Sequence, residues 1–279
     1  MSTTTPATPS TLRRAFRQKR LVAGLVISVL VILFALLGPL LAPHGENEVV
    51  GPPFTGKGLL GTDYLGQDVL SRLMYGGTEI LLIAVLSTIL GVVFGTLIGV
   101  VAAYSGGWWD EVIMRLNDVT LAFPQILLAL LVLTSVDQPK AWIVVLIIGV
   151  SHAPRVARLA RGVALGIVSR DFVYAAEALG EKRSRVIVAE VLPNMNAPLL
   201  AESGLRLTYS IGLVGALGFL GFTTNPGGAN WGVMIRENQL ALSTQTWAVL
   251  APVLIIGLFT VGTNLMADGI AQLNQRGGD

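Results

Sequence analysis

Residues 21–42 read LVAGLVISVLVILFALLGPLLA, which is 22 positions without a charged side chain. A helix rises about 1.5 Å per residue, so this length spans about 33 Å and crosses a hydrocarbon core of about 30 Å. The apolar region of a cleaved signal peptide is shorter, at about 7–15 residues. The stretch therefore predicts a retained transmembrane helix.

The rest of the chain has the composition of a membrane protein. Its 279 residues are 53% hydrophobic and 13% charged, whereas a soluble domain carries about 25% charged residues. Only helices satisfy their own backbone groups inside lipid, so each further apolar stretch is predicted to be helical. These stretches lie at 78–104, 119–136, 141–160, 198–221 and 247–270. We predict an all-α integral membrane protein with six transmembrane helices.

The positions of the basic residues predict the orientation. Six spans put both termini on one side, which then holds 14 of the 19 Lys and Arg residues. Four lie on the other side, and Arg206 lies within the fifth span. Because cytoplasmic loops are enriched in Lys and Arg, both termini are predicted to be cytoplasmic.

The predicted organisation follows from the spans and the orientation. It consists of a cytoplasmic tail 1–20, a first helix 21–42, an external segment 43–77, a five-helix core 78–270 that contains a cytoplasmic segment 171–193, and a tail 271–279.

Several motifs suggest an enzyme, but each lacks a necessary part. The run Gly51–Gly58 resembles a phosphate-binding loop, yet Gly58 stands where a Ser or Thr would bind magnesium. His44 and His152 have no partner at metal-ligand spacing and are interpreted as helix-end residues near the membrane surface, and the chain has no cysteine. We predict a non-enzyme without its own cofactor or metal. An intramembrane hydrolase is the enzyme alternative, with no HExxH or GxSxG motif to support it. The clustered basic residues do not indicate a nucleic-acid partner.

Two features of the spans have alternative interpretations. Small residues recur every four positions in the second span, which suits either packing within the chain, the favoured reading, or a subunit interface. They are Ser87, Gly91, Gly95, Gly99 and Ala103. Glu202 and Arg206 share a helix face, and we favour a structural pair over a substrate pathway. The competing class is a secondary transporter or channel, for which this pair is the available charge relay.

The 171–193 segment has the pattern of two short amphipathic helices. Its first apolar stripe comprises Phe172, Ala175, Ala176 and Leu179. Gly180 allows a left-handed helix end, and Pro193 is predicted to end the second helix. The apolar face either inserts into a groove on a partner protein or lies on the membrane, and the periodicity favours neither.

This segment resembles the EAA loop of binding-protein-dependent ABC importer permeases. Ala175, Ala176, Gly180, Leu192 and Pro193 match the pattern, while Tyr174 replaces its leading Glu. The resemblance implies contact with an ATPase subunit through Tyr174, Ala175, Ala176, Leu179, Gly180 and Pro193.

Two external stretches resemble the peptide/nickel branch of that family. Residues 61–72 read GTDYLGQDVLSR, close to the branch pattern GTDxLGRDVLSR, and FLG at 219–221 is followed by NWGVM at 230–234. Val214 stands near the place of an acidic residue that usually precedes FLG. Asp68 and Arg72 predict an i,i+4 pair on a short helix 66–76, the alternative being a plain connector. The resemblance implies that the docking face for an external binding protein includes Asp63, Gly66, Asp68, Arg72, Trp231 and Gly232.

The family implies a type I ABC importer permease fold, also called MetI-like, in a bacterial or archaeal inner membrane. It implies alternating access together with a second related permease and two ATPase subunits that bind ATP and magnesium. The branch implies a di- or oligopeptide substrate, with nickel, glutathione or another small solute as alternatives.

Overall fold

The computed structural model describes residues 18–136 and 139–275. Most of the predicted N-terminal tail and the end of the C-terminal tail lie outside these ranges, as do Asp137 and Gln138 of the predicted turn between the third and fourth spans.

The described residues form helices and no strand, with two isolated β-bridges, Val49–Gln67 and Thr62–Asp68. The all-α prediction is confirmed. In chain order the helices are α1 (Lys19–Leu41), α2 (Val69–Tyr75), α3 (Gly77–Ser105), α4 (Gly107–Leu121), α5 (Gln125–Thr134), α6 (Ala141–Val168), α7 (Asp171–Ala178), α8 (Arg183–Val186), a π-helical turn (Ile187–Val191), α9 (Leu192–Asn194), α10 (Asn196–Phe219), α11 (Trp231–Asn238), a 3₁₀ turn (Gln239–Ala241) and α12 (Thr246–Gln275).

Four of the described helical stretches are long and apolar enough to cross a membrane: Lys19–Leu41, Val69–Ser105, Ala141–Val168 and Thr246–Leu273. They coincide with the first, second, fourth and sixth predicted spans. A fifth is added if α4 and α5 together form one span. The 24-residue α10, which covers most of the predicted fifth span, is not in this set and carries Glu202 and Arg206. The count of six spans is therefore not fully confirmed.

The third predicted span is broken. Instead of one helix over 119–136, α4 ends at Leu121, α5 begins at Gln125, and their axes differ by 76°. Pro124 lies at the break with φ −60° and ψ 124°. A proline lacks the backbone N–H and disfavours helical geometry in the residue before it, so the prediction of a straight span here is wrong.

The helix α6 extends eight residues beyond the predicted end at residue 160, to Val168. Pro154 lies inside it. Arg155, Arg158 and Arg161 thus belong to a continuous helix that ends two residues before α7.

The small residues of α3 pack against α6. A Cβ on Gly91 would lie 2.7 Å from His152 Cβ, and one on Gly95 would lie 2.5 Å from Val156 Cβ. Real side chains do not approach so closely, so the glycines allow the two backbones to come together. The prediction of packing within the chain is confirmed.

The helix α1 packs on α12, α2 and the start of α3 through a single stripe. Its buried residues are three and four positions apart: Gly24, Ser28, Val31, Ala35 and Gly38. A Cβ on Gly24 would lie 2.5 Å from Met266 N. The opposite face of α1 is exposed and apolar, as a lipid-facing helix requires.

Candidate functional site

The ion pair of the outer segment differs from the predicted one. Arg72 Nη1 lies 2.6 Å from Asp63 Oδ2 and 3.0 Å from Glu237 Oε2. Asp68 caps the N-terminus of α2, accepting hydrogen bonds from Ser71 N at 2.9 Å and Ser71 Oγ at 2.6 Å. The helix begins at Val69, so Asp68 is not a helical residue. The predicted i,i+4 pair of Asp68 with Arg72 is wrong, and the short helix is confined to Val69–Tyr75.

Asp63 also organises the turn that precedes α2. Its Oδ1 accepts hydrogen bonds from Leu65 N and Gln67 N, each at 2.9 Å. Gly66 follows with φ +79°, and a Cβ there would collide with the carbonyl oxygen of Gly51. A residue with a side chain is disfavoured at this position by both backbone strain and lack of space.

Trp231 connects the second external motif to the first. The ring is fully buried, and its Nε1–H donates to the carbonyl of Leu73 at 2.8 Å. Its neighbour Gly232 is also buried, and a Cβ there would collide with the carbonyl of Gly215 on α10. The two external motifs thus form one folded unit.

Two acidic residues that the sequence analysis did not single out complete this unit. Glu237 accepts from both Arg72 and the Tyr64 hydroxyl, the latter at 3.1 Å. Burial, together with the nearby Glu237 carboxylate, raises the pKa of Tyr64 above its usual range, so the phenol stays protonated and donates. Glu79 accepts from Asn230 Nδ2 at 2.7 Å. Glu79 is the one charge in an otherwise uncharged helix, a signal that could have identified it.

All six predicted docking residues of this unit, Gly66 included, are buried. Asp63 is 0% and Arg72 2% exposed, and Asp68, Trp231 and Gly232 are also buried. Exposed apolar side chains lie in the same segments, namely Leu59 at 84%, Leu65 at 47% and Leu240 at 95%. The buried residues therefore hold the unit together, and these leucines form its surface.

In the 171–193 segment, the predicted apolar stripe is largely exposed. Phe172 is 37% and Leu179 85% exposed; Ala175 is exposed and Ala176 half-buried. The residue of α7 that packs inward is Val173, at 1% exposure. It joins a cluster with the ends of α3 and α6, including Val100, Ala164 and Ile167.

The end of α7 matches the prediction. Gly180 has φ +82°, and the N–H of Glu181 bonds to the carbonyl of Ala176 at 3.2 Å. This is the hydrogen-bond pattern of a glycine-ended helix. The predicted left-handed helix end is confirmed.

The second half of the segment does not end at Pro193. Helical structure continues through Leu192–Asn194 toward α10. The N–H of Leu192 bonds five residues back to Ile187, which makes the preceding turn π-helical. Such a turn adjusts the backbone next to a proline that cannot donate. The prediction that Pro193 closes the helix is wrong.

Polar contacts attach α7 to α3. The hydroxyl of Tyr104, in the last turn of α3, donates to the Glu177 carboxylate. The guanidinium carbon of Arg183 lies 5.9 Å from the centroid of the Tyr104 ring. The segment is therefore held against two long helices, while Phe172, Ala175 and Leu179 of its apolar stripe are exposed in the described part of the chain.

Glu202 and Arg206 form the predicted pair on α10. Arg206 Nε lies 2.8 Å from Glu202 Oε1, and both side chains are buried. The N–H of this Nε makes no well-directed hydrogen bond among the described residues, so the contact is chiefly an attraction between charges. The guanidinium carbon also lies 4.9 Å from the centroid of the Tyr209 ring.

The structure gives the enzyme-like motifs other roles. His152 lies within α6, fully buried, with Nε2 2.9 Å from Ser210 Oγ, so the interpretation as a helix-end residue is wrong for it. Lys57 Nζ donates to the carbonyl of Val50 at 2.6 Å, and the Gly51–Gly58 run is not followed by a helix. Within residues 18–136 and 139–275, no group of three His, Cys, Asp or Glu side chains is placed to hold a metal ion.

Family comparisons cover most of the chain. Residues 95–277 match the family model described as binding-protein-dependent transport system inner membrane component. Residues 10–53 match the N-terminal TM domain of oligopeptide transport permease C.

Curated relatives match along nearly the full chain. The dipeptide transport system permease protein of Escherichia coli strain K12 is 36% identical over 264 residues, which are 91% of this chain and 88% of that protein. The dipeptide permease of Alkalihalophilus pseudofirmus is 32% identical over 268 residues, covering 92% and 87%. The di/tripeptide permease of Pseudomonas aeruginosa is 34% identical over 262 residues, covering 90% and 86%.

A solved structure shares the fold. A chain of the MetNI methionine ABC transporter superimposes with a TM-score of 0.57 over 72% of this chain and 95% of that one. The sequence identity is 16%. This likeness confirms the predicted MetI-like architecture.

Proposed function

The chain belongs to the family of binding-protein-dependent transport system inner membrane components, and on this premise we propose that it translocates di- or oligopeptides. It is the permease subunit of an ATP-driven importer, and it is a non-catalytic subunit. The observation that carries the peptide proposal is the match, at 32–36% identity, to permeases named for dipeptides and tripeptides. Transport proceeds by alternating access between inward-open and outward-open arrangements.

The proposed complex contains a second related permease, two ATPase subunits and an external binding protein. ATP and magnesium belong to the ATPase subunits. Supporting this, the fold is that of a chain from a methionine ABC transporter. The excess of basic residues on one side supports an orientation with both termini in the cytoplasm of the cell membrane.

The ATPase contact is the 171–193 segment. Its support is the exposed stripe of Phe172, Ala175 and Leu179, which lies on a short helix firmly packed on α3 and α6. An exposed apolar helix face suits a groove on a partner. When the ATPase dimer closes on ATP, the movement of its groove carries α7 and the ends of these helices.

The binding protein contacts the outer unit. Leu59, Leu65 and Leu240 provide exposed apolar surface there, and the buried Asp63–Arg72–Glu237 contacts fix the loops that present it. Rigid loops lose less conformational entropy when a partner binds.

Uptake by intact cells tests the substrate class. Cells that express the complete importer are compared with cells lacking only this chain, using labelled dipeptides and, separately, labelled nickel. We expect dipeptide uptake to require the chain and nickel uptake to be independent of it. Dipeptide uptake that is unchanged without the chain would overturn the proposal, and nickel uptake that depends on the chain would favour the nickel alternative.

A further inference from the structure

The helix α4 is held to the bundle by polar contacts. Its two buried residues are Asp110, at 9% exposure, and Asn117, at 6%, and neither is apolar. On the other side of the helix Trp108, Trp109 and Leu116 are exposed. Its apolar residues Val112, Ile113 and Met114 are only half-buried, and its charged and hydrogen-bonded contacts add the directional restraints on its position.

The strongest of these contacts is a double hydrogen bond to α6. Arg161 Nε and Nη2 lie 2.5 Å from Asp110 Oδ1 and Oδ2, respectively. A guanidinium that binds a carboxylate with two parallel bonds fixes orientation as well as distance. A second ion pair lies nearby. Arg158 is one helical turn before Arg161, and its Nη2 lies 2.6 Å from Oδ1 of Asp118, which is two turns after Asp110. These two pairs attach α4 to the C-terminal half of α6.

The parts of α6 before and after Pro154 make hydrogen bonds to different helices. Asn117 Nδ2 donates to the Pro154 carbonyl at 2.9 Å. Before the proline, Gln125 of α5 bonds to the carbonyl of Ser151 at 3.0 Å. The half of α6 before Pro154 is thus attached to α5, and the half after it to α4. Gln125 is the first residue after the break at 122–124, so the break lies close in sequence to a contact with the turn of α6 in which the proline removes a helical hydrogen bond.

The C-terminal half of α6 is continuous with the proposed ATPase contact. Only Ser169 and Arg170 separate α6 from α7. The N–H of Arg170 bonds to Ile167 and that of Val173 bonds to Arg170, each at 3.0 Å. Val173 is buried against the same end of α6. A displacement of α7 therefore displaces the residues that hold α4.

We propose that α4 and the half of α6 after Pro154 move as one arm, which carries the displacement of the 171–193 segment to the break at 122–124. Asp110 and Arg161 are the positioning residues that join the two helices of the arm. This inference rests on the proposed function, because it assigns a route for the ATP-driven movement. Without the double hydrogen bond, α7 still follows the ATPase but α4 no longer follows α7.

The test measures coupling in the complete importer, reconstituted in proteoliposomes with its binding protein. The quantity is the amount of labelled dipeptide taken up per ATP hydrolysed. We expect Asp110→Asn to lower this ratio at least about fivefold, the lower range of allosteric coupling, while ATP hydrolysis continues. The control is Glu111→Gln on the same helix, whose carboxylate makes only an exposed contact of 3.9 Å to Arg115. It is expected to leave the ratio unchanged.

A charge exchange separates positioning from folding. Asp110→Arg combined with Arg161→Asp restores attraction and is expected to recover part of the ratio relative to either single change. If Asp110→Asn does not assemble, Arg161→Lys decides, since it keeps the charge but loses the two parallel bonds. An unchanged ratio in that variant overturns the inference.

The outcomes distinguish the inference from the proposed function. If the wild-type complex shows no ATP-dependent dipeptide uptake, the proposed function fails. If the wild type is active and Asp110→Asn matches Glu111→Gln, or if uptake and hydrolysis fall in equal proportion, the arm does not carry the movement and the inference is overturned.

Discussion

Arg72 connects two segments of the chain, since its Nη1 lies 3.0 Å from Oε2 of Glu237, which is 165 residues away in the sequence. The same nitrogen lies 2.6 Å from Asp63, which is fully buried. One guanidinium therefore joins the turn before α2 to the end of α11.

Removal of this guanidinium is expected to destabilise the outer unit. Arg72→Met leaves the Asp63 carboxylate buried without its cation, and breaking a buried pair in this way costs about 3–5 kcal/mol. The effect is measured as a lower melting temperature of the detergent-solubilised complex, which is heated in steps and then assayed by size-exclusion chromatography. Arg115→Met is the control, because its contact to Glu111 is exposed and 3.9 Å long. Equal melting temperatures for the two variants would argue against the assigned role of Arg72.

Close packing of α3 on α6 predicts a difference between two glycines. A Cβ on Gly95 would lie 2.5 Å from Val156 Cβ, whereas one on Gly162 of α6 meets nothing within 4 Å. We expect Gly95→Ala to destabilise the protein by about 1–3 kcal/mol through overpacking. Gly162→Ala is expected to be neutral or stabilising by up to about 1 kcal/mol, from helix propensity. The same unfolding assay compares them, and equal tolerance of both changes would be inconsistent with the backbone approach described.

The sequence predicted the first, second, fourth and sixth spans and Gly180 correctly for a simple physical reason. The helical structure of an uncharged run such as 21–42 is determined by the lipid around it. The conformation of a glycine after an amphipathic stripe is determined by the local backbone. The Arg72 contacts could not be predicted in the same way. The i,i+4 rule assumes that both residues are helical, but Asp68 is the residue that caps the helix, and Glu237 lies in a distant segment.

The broken third span was missed although its signal was present. Hydropathy over 119–136 predicts one apolar segment, while Pro124 near its start indicates a break. The Glu202–Arg206 pair was predicted from its four-residue spacing, but hydropathy over 198–221 did not indicate that α10 falls short of the apolar character of the other long helices. Apolar composition indicates whether a segment lies in lipid or in water, but it contains little information on where a helix bends.

Cysteine labelling tests the orientation, because the native chain contains no cysteine. Leu240 is 95% exposed after α11, and Ser184 is exposed in α8. In intact cells a membrane-impermeant thiol reagent is expected to label Leu240→Cys and to label Ser184→Cys only after permeabilisation. If Ser184→Cys were labelled from outside in intact cells, the predicted orientation would be contradicted.

Bulky changes in the 171–193 segment are expected to disturb the ATPase contact and leave the helical bundle intact. Gly180→Val forces a β-branched residue into φ +82° at a cost of about 1–2 kcal/mol, yet a Cβ at this position would lie in open space among the described residues. Ala176→Trp fills the small pocket between α7 and the following helical turns. Co-purification is expected to show normal recovery of the second permease and reduced recovery of the ATPase.

Tyr174→Glu is the matched control for this experiment. Tyr174 stands in the position of the leading Glu of the EAA pattern, so the change restores that residue and is expected to be tolerated. Wild-type ATPase recovery and wild-type transport in both bulky variants would exclude this segment as the contact.

The energy source of transport tests the central claim most directly. Right-side-out proteoliposomes that contain the complex purified through this chain are loaded with ATP, and binding protein and labelled dipeptide are supplied outside. We expect uptake that requires enclosed ATP and stops with a non-hydrolysable analogue. Uptake that proceeds without ATP on an imposed proton gradient would contradict it and would identify a secondary transporter instead.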